Sequence, residues 1–289
     1  ATIDEDGALR AAPFTSIAAV GKEAGDPIAK LGRGAAVTVS TAGVVYAVSA
    51  KSGKIFAYGP NAEGTFAQTA ERELEGIDAG DELAITAVGG VSVVLDRTTS
   101  TLYTTDGLQT DVPKDAVLQQ PSNVTDTVAL ATPSQLVRVP LDGSEPVVKD
   151  AGGEGSPAQP VYVAGCAYGA WSGTGAFVRD CAGDSDDVQK TIKGVDQKSQ
   201  LRFRVNRDVV VLNDVFGGSA WMASDALQQV DNWEDITPPE GEGEEEEETT
   251  EETIQSTLPE RSDKNTPPVA ESDRHGVRPG RTTVLPVLE

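Results

Sequence analysis

The side chains best placed to do chemistry in this sequence are two cysteines and several groups of carboxylates. Cys166 and Cys181 flank a stretch with small residues at Gly173 to Gly175, which reads as a hairpin with a Gly-rich turn. Antiparallel pairing would set the two cysteines on neighbouring strands. A disulfide there would close a loop of about 15 residues and contribute about 3 kcal/mol, and would place the protein in an oxidising compartment. Two small buried thiols are the other reading of the same pair. A zinc site would need two further ligands at suitable spacing, and none is evident.

Asp180, Asp184, Asp186 and Asp187 cluster around the second cysteine, and Asp4, Glu5 and Asp6 cluster near the start. Hard oxygen ligands on flexible loops suit Ca²⁺, and neither cluster has the spacing of an EF-hand loop. A solvated acidic loop explains both groups equally simply. Calcium is the one cofactor the residues suggest, and otherwise none is expected.

Catalytic sets are thin. The single histidine is His275, far from the bulk of the apolar sequence. Ser-His-Asp and Cys-His catalysis are therefore not expected in residues 1 to 236, nor are His-based zinc or iron sites. A carboxylate pair acting on a glycosidic bond needs two acids about 5 to 9.5 Å apart. Asp96, Asp106, Asp142 and Asp214 fall at strand ends or turns, where turn formation explains them. An enzyme would bring two or three carboxylates together in a central funnel, whereas a scaffold would fill that funnel with small or apolar side chains. Trp171 and Trp221 are expected between sheets rather than on a carbohydrate-binding face, and Trp233 over an outer edge. The sequon Asn123-Val124-Thr125 is read as incidental.

Charge narrows the partners. With 46 Asp and Glu against 23 Lys and Arg, the net charge is −23. Such a surface repels nucleic acid and anionic membranes, because binding either relies on cations that neutralise phosphates. No run nears the roughly 20 apolar residues that span a bilayer. Direct membrane insertion is not expected here. A secretion signal or anchor is expected upstream, since Ala1 leads into an acidic turn. The terminal Leu288-Glu289 supports no reading.

The elements that would position these residues follow a repeat. A small-residue turn followed by a short apolar run recurs at Gly7, Gly53, Ser100, Ser134, Gly175 and Gly218, at intervals of 46, 47, 34, 41 and 43 residues. Five of these segments are preceded by two more short, β-branched runs, such as Ala35 to Ser40 and Val44 to Ser49, or Leu83 to Val88 and Val91 to Asp96. Helical spacing is not sustained. The period suits a four-stranded propeller blade. Residues 1–236 are thus expected to form an all-β propeller of about six blades, the first lacking its two leading strands.

Residues 240 to 252 contain nine Glu and no basic residue. Such a run repels itself and buries nothing, so 237–265 is expected to be a disordered acidic linker. Residues 265 to 289 contain Asn265-Thr266-Pro267-Pro268-Val269-Ala270 and then Gly280-Arg281-Thr282-Thr283-Val284-Leu285-Pro286-Val287-Leu288. This resembles the first strands of the tandem Ig-like or cadherin-like repeats of large bacterial surface proteins, so 266–289 is expected to start a truncated Ig-like repeat. The family's calcium-type turn would come just past Glu289, so its ligands cannot be carried over. By strand rhythm and order, the preceding part resembles the N-terminal propeller-like region of high-GC Gram-positive proteins with Ig-like or fibronectin type III repeats. The resemblance implies an extracellular, cell-envelope protein, structural, adhesive or ligand-binding. The expectation is a monomeric, non-catalytic binding or structural module, with a cell-wall polymer or another surface protein as partner. A polysaccharide hydrolase or lyase using an acidic pair and a calcium-stabilised stalk unit are the alternatives.

Overall fold

Short runs of Val, Ile, Leu and Ala between Gly- and Asp-rich turns give this chain its strands, and each run pairs with the next. A computed structural model describes residues 1–12, 26–61, 64–124, 126–183, 186–225 and 227–230. The expected linker 237–265, the expected Ig-like start 266–289, His275, Trp233, Asp184 and Thr125 lie outside the described residues.

The described residues form 23 strands and no helix. The first sheet is β1 (Thr2–Ile3), β2 (Ala8–Arg10) and β3 (Ala29–Lys30). The second is β4 (Ala36–Val39), β5 (Val45–Ser49), β6 (Lys54–Pro60) and β7 (Phe66–Glu73). The third is β8 (Leu83–Val88), β9 (Val91–Asp96), β10 (Thr101–Thr104) and β11 (Gln109–Asp111). The fourth is β12 (Val117–Leu118), β13 (Thr127–Ala131), β14 (Gln135–Pro140) and β15 (Val147–Asp150). The fifth is β16 (Val161–Val163), β17 (Cys166–Trp171), β18 (Ala176–Cys181) and β19 (Val188–Thr191). The sixth is β20 (Leu201–Asn206), β21 (Val209–Asp214), β22 (Ala220–Met222) and β23 (Gln228–Val230). Each sheet is an antiparallel meander in chain order.

The burial pattern shows how the sheets stand. The second strands β5, β9, β13 and β17 are buried almost throughout, on both faces. The fourth strands β7, β15 and β19 are largely exposed. A strand covered on both faces needs a sheet against each, and its sequence then reads as a continuous apolar run rather than an alternating one. The contacts supply those neighbours. Leu9 and Leu31 pack with Val45, Ala47 and Tyr58 between the first and second sheets. Val48, Ile55 and Leu74 pack with Leu83, Val94 and Tyr103 between the second and third. Val93, Leu95 and Leu102 meet Leu118, Val128 and Leu130 between the third and fourth. Leu136 meets Trp171 and Val178 between the fourth and fifth, and Phe177 meets Phe203 and Leu212 between the fifth and sixth. Successive meanders stacked in this way, outer strands to solvent, are the blades of a β-propeller.

All six third-strand segments expected from the repeat are present, the last five with both preceding strands. The first blade departs from expectation, since it has one more strand than the sequence suggested. Thr2–Ile3 pairs with Leu9 and Arg10, and β1 contacts β4 as β5 contacts β8. β1 therefore occupies the second-strand position, and only the innermost strand of that blade is missing among the described residues. The two-residue β1 was too short to show a strand pattern. Among the described residues no apolar cluster joins the sixth sheet to the first, and Val209 and Phe216 of the sixth blade are 44% and 79% exposed.

The two described tryptophans are core residues. Trp171 is fully buried and donates its indole N–H to the Thr132 carbonyl at 2.8 Å, tying fifth blade to fourth. Gly169 makes room for it, since a Cβ there would come within 2.6 Å of the indole. Trp221 lies in the cluster between the fifth and sixth sheets.

Candidate functional site

The centre of the propeller is organised by Gln119 to Ser122, which follow the inner strand of the fourth blade. Gln119 is fully buried. Its Oε1 accepts the Ala129 N–H at 2.6 Å, and its Nε2 donates to the Gln120 carbonyl and the Ser122 hydroxyl at 3.1 and 3.0 Å. Both ends of the amide are thus satisfied, as a buried amide requires. The Gln120 N–H donates to the Pro160 carbonyl at 2.9 Å, and its side-chain Nε2 donates to the Phe203 carbonyl at 3.0 Å. Ser122 exchanges backbone bonds with Ala87 and Gly89 of the third blade, both at 2.9 Å. Gln120 thereby connects the fifth and sixth blades to the fourth, and Ser122 connects the third.

Two cavities lie along this hub and share Gln120, Pro121 and Arg204. The larger, about 750 Å³, opens beside the starts of the inner strands of the fifth and sixth blades, among Gln159, Ser172, Gln197 and Gln200. The smaller, about 500 Å³, lies at the other end of those strands, and Thr41 of the second blade completes it. Arg202 and Arg204 line the first, Arg204 and Arg207 the second, and among the described residues neither is lined by an Asp or Glu. The centre therefore matches neither expected filling, the convergent carboxylates of an enzyme or the small and apolar side chains of a scaffold.

The structure disperses the acids considered for catalysis. Asp96 and Asp214 end the second strands of the third and sixth blades, buried. Asp96 accepts the N–H groups of Thr98 and Thr99 at 2.8 and 3.3 Å and the Thr99 hydroxyl at 2.6 Å. Asp214 accepts those of Gln200 and Phe216 at 3.1 and 3.3 Å. Burial pushes the Asp214 carboxyl up, but hydrogen bonds from Ser199 and from the backbone of Gly217, Gln200 and Phe216 outweigh it and hold it below the usual carboxylate range. Asp106 and Asp142 are exposed, and Asp142 closes its own turn by accepting the Ser144 N–H at 2.8 Å. Ser49 holds the same blade position as Asp96 and Asp214, Thr132 lies one residue beyond it in the fourth blade, and both hydroxyls accept N–H groups of the following turn. These are side-chain-capped turns.

Cys166 and Cys181 face one another directly across β17 and β18 and form a disulfide, with Cα atoms 3.9 Å apart. Two of the four aspartates near Cys181 already hold cations. Asp180 is buried and meets Arg138 of the fourth blade at 2.5 Å. Asp187 meets Lys149 at 2.8 Å and accepts the Cys181 N–H at 2.8 Å. Burial raises the Asp187 carboxyl, and the Cys181 N–H and Lys149 more than reverse that. The carbonyl of Asp186 accepts from Arg179 at 2.8 Å. Among the described residues no group of three or more His, Cys, Asp or Glu could hold a metal ion. At the start of the chain, Asp4 accepts the Ala8 N–H at 2.8 Å and pairs with Arg10 at 2.9 Å, while Asp6 pairs with Arg33 at 3.3 Å.

No family model matches the chain, and no curated protein matches it in sequence. Solved structures resemble it in shape. One is a crystal structure of the mitotic checkpoint complex, 12% identical with a TM-score of 0.50, over 73% of this chain and 70% of the other. Virginiamycin B lyase from Staphylococcus aureus is 14% identical with a TM-score of 0.48, over 68% of each chain. BamB from Moraxella catarrhalis is 15% identical with a TM-score of 0.40, over 65% of this chain and 56% of the other. At such identities the likeness is one of fold alone. Their functions are not transferable to this chain.

The central residues that sequence reasoning missed are Gln119, Gln120, Arg202, Arg204 and Arg207. Amides carry no motif, and three arginines within six positions look like an exposed strand face. Their placement on or beside the inner strands at the centre became visible only once the blades were stacked.

Proposed function

We propose that this protein is a non-catalytic binding module of a bacterial envelope protein, presenting the central face of the propeller to a cell-wall polymer or a neighbouring surface protein. The observation that carries the reading is the pair of central cavities, which are roomy, carry amide and guanidinium side chains, and among the described residues are lined by no carboxylate or histidine that could act as general acid or base. The disulfide supports an oxidising, extracytoplasmic setting. Among the described residues no helix is long and apolar enough to cross a membrane. The polysaccharide hydrolase alternative would need an acidic pair at the centre, and the described residues lining the two cavities supply none.

The test is retention of the full chain on isolated Gram-positive cell walls. Saturable retention supports the reading. Release of reducing ends or unsaturated sugars from the walls would replace it with the enzyme alternative. Neither retention nor release would remove the wall as partner.

A further inference from the structure

We propose that the central cavities take an anionic glycan, with its oxyanion groups held by Arg202, Arg204 and Arg207. The inference rests on the binding-module reading and names the ligand class.

The argument begins with pairing. In a chain with twice as many acids as bases, arginines find partners easily. Arg10, Arg33, Arg97 and Arg138 each meet a carboxylate. Arg72 donates to the Thr105 carbonyl, and Arg179 to those of Asp186 and Ser224. Arg202, Arg204 and Arg207 are exposed and have no partner among the described residues, and they sit on β20 and the turn after it. Alternation along β20 puts Arg202 and Arg204 on one face. Holding like charges together without a counter-charge is unfavourable, and a bound anion relieves it.

The lining suits a sugar. Guanidinium groups present planar forks that match carboxylate or phosphate oxygens in pairs. Gln197 and Gln200, with Ser156 and Ser172, line the same cavity as Arg202 and Arg204 and offer neutral donors and acceptors for hydroxyls. The acidic exterior does not prevent this, because exposed charges are screened beyond about 8 Å at physiological salt, while a concave site of one sign focuses its own field.

Two sources share this chemistry, a uronate polysaccharide and a polyol-phosphate polymer. Calorimetric titration of the full chain with a uronate oligosaccharide, a glycerol-phosphate oligomer and a neutral glucan oligomer separates them. Saturable binding is expected for at least one of the two anions and not for the neutral chain. Arg202→Gln and Arg204→Gln should each weaken it about tenfold, and higher salt should weaken it further. Lys114→Gln, an exposed cation away from the cavities, should leave it unchanged. These sites are exposed, so the variants should keep the parent melting temperature. Arg204→Lys should recover only part of the affinity, since an ammonium lacks the fork.

Binding of neither anion, or binding indifferent to the arginines, overturns the proposal. Wall retention that survives Arg202→Gln/Arg204→Gln/Arg207→Gln would do so while leaving the binding-module reading in place.

Discussion

Gln120 donates its side-chain amide to the main-chain carbonyl of Phe203, 83 positions later, at 3.0 Å. The bond joins the inner edge of the fourth blade to the inner strand of the sixth. It spans the fifth blade, which the Gln120 N–H meets at Pro160. Gln120 also lines both central cavities, so one side chain sets the spacing of the blades that frame them.

Replacing that donor should loosen the centre. Gln120→Ala leaves the Phe203 carbonyl without this partner, and the expected loss is about 1 kcal/mol of unfolding free energy. Urea denaturation followed by tryptophan fluorescence measures it. A midpoint equal to the parent's would mean that water replaces the amide at no cost.

The disulfide should matter more. Cys166→Ser/Cys181→Ser, or reduction, frees a loop of about 15 residues in the unfolded chain and should cost about 3 kcal/mol. The effect is read as a lower urea midpoint under reducing conditions. Both cysteines sit on the hairpin β17–β18, so the fifth blade and its contacts with Phe203 and Leu212 should fray first, visible as faster amide exchange in β16 to β19.

Asp214 predicts an acid limb. Its carboxyl lies below the usual range when folded. A depressed folded value contributes stability that is fully present above the unfolded value, near 3.9, and is lost as pH falls through the folded one. Stability should therefore decline below about pH 4, and Asp214→Asn should flatten that decline. At neutral pH the variant should be less stable by about 1 to 3 kcal/mol, because an amide serves the two turn N–H groups less well than a carboxylate. An unchanged acid profile in Asp214→Asn would assign the limb to other acids.

Arg138 and Asp180 bear on calcium. Their side chains are 13% and 3% exposed, so Arg138→Met strands a buried carboxylate and should cost about 3 kcal/mol. The calcium reading predicts a rise in Tm when Ca²⁺ is added, lost in Asp186→Asn. An unchanged Tm would leave these aspartates as partners for Arg138 and Lys149.

Strand positions were legible because each blade is short and local. A meander pairs each strand with its successor, so apolar runs and turns in sequence map directly onto the sheet. The hairpin of Cys166 and Cys181 is of this kind, and so are the capped turns at Asp96 and Asp214. β1 escaped because a two-residue strand has no period, and only its pairing with Leu9 and Arg10 defines it.

Composition and spacing determined the all-β class, the number of repeats and the placing of both cysteines on one hairpin, since all three depend on neighbours within a few tens of residues. The tertiary structure decided what fills the centre. Gln120, Arg204 and Thr41 are separated by 84 and 163 positions in the chain, and they line one cavity because the blades turn their inner strands to a common centre. No local pattern encodes that meeting. It follows from stacking sheets face to face, where burial of Trp171, Phe177 and Phe203 between blades sets which edges are left to face inward.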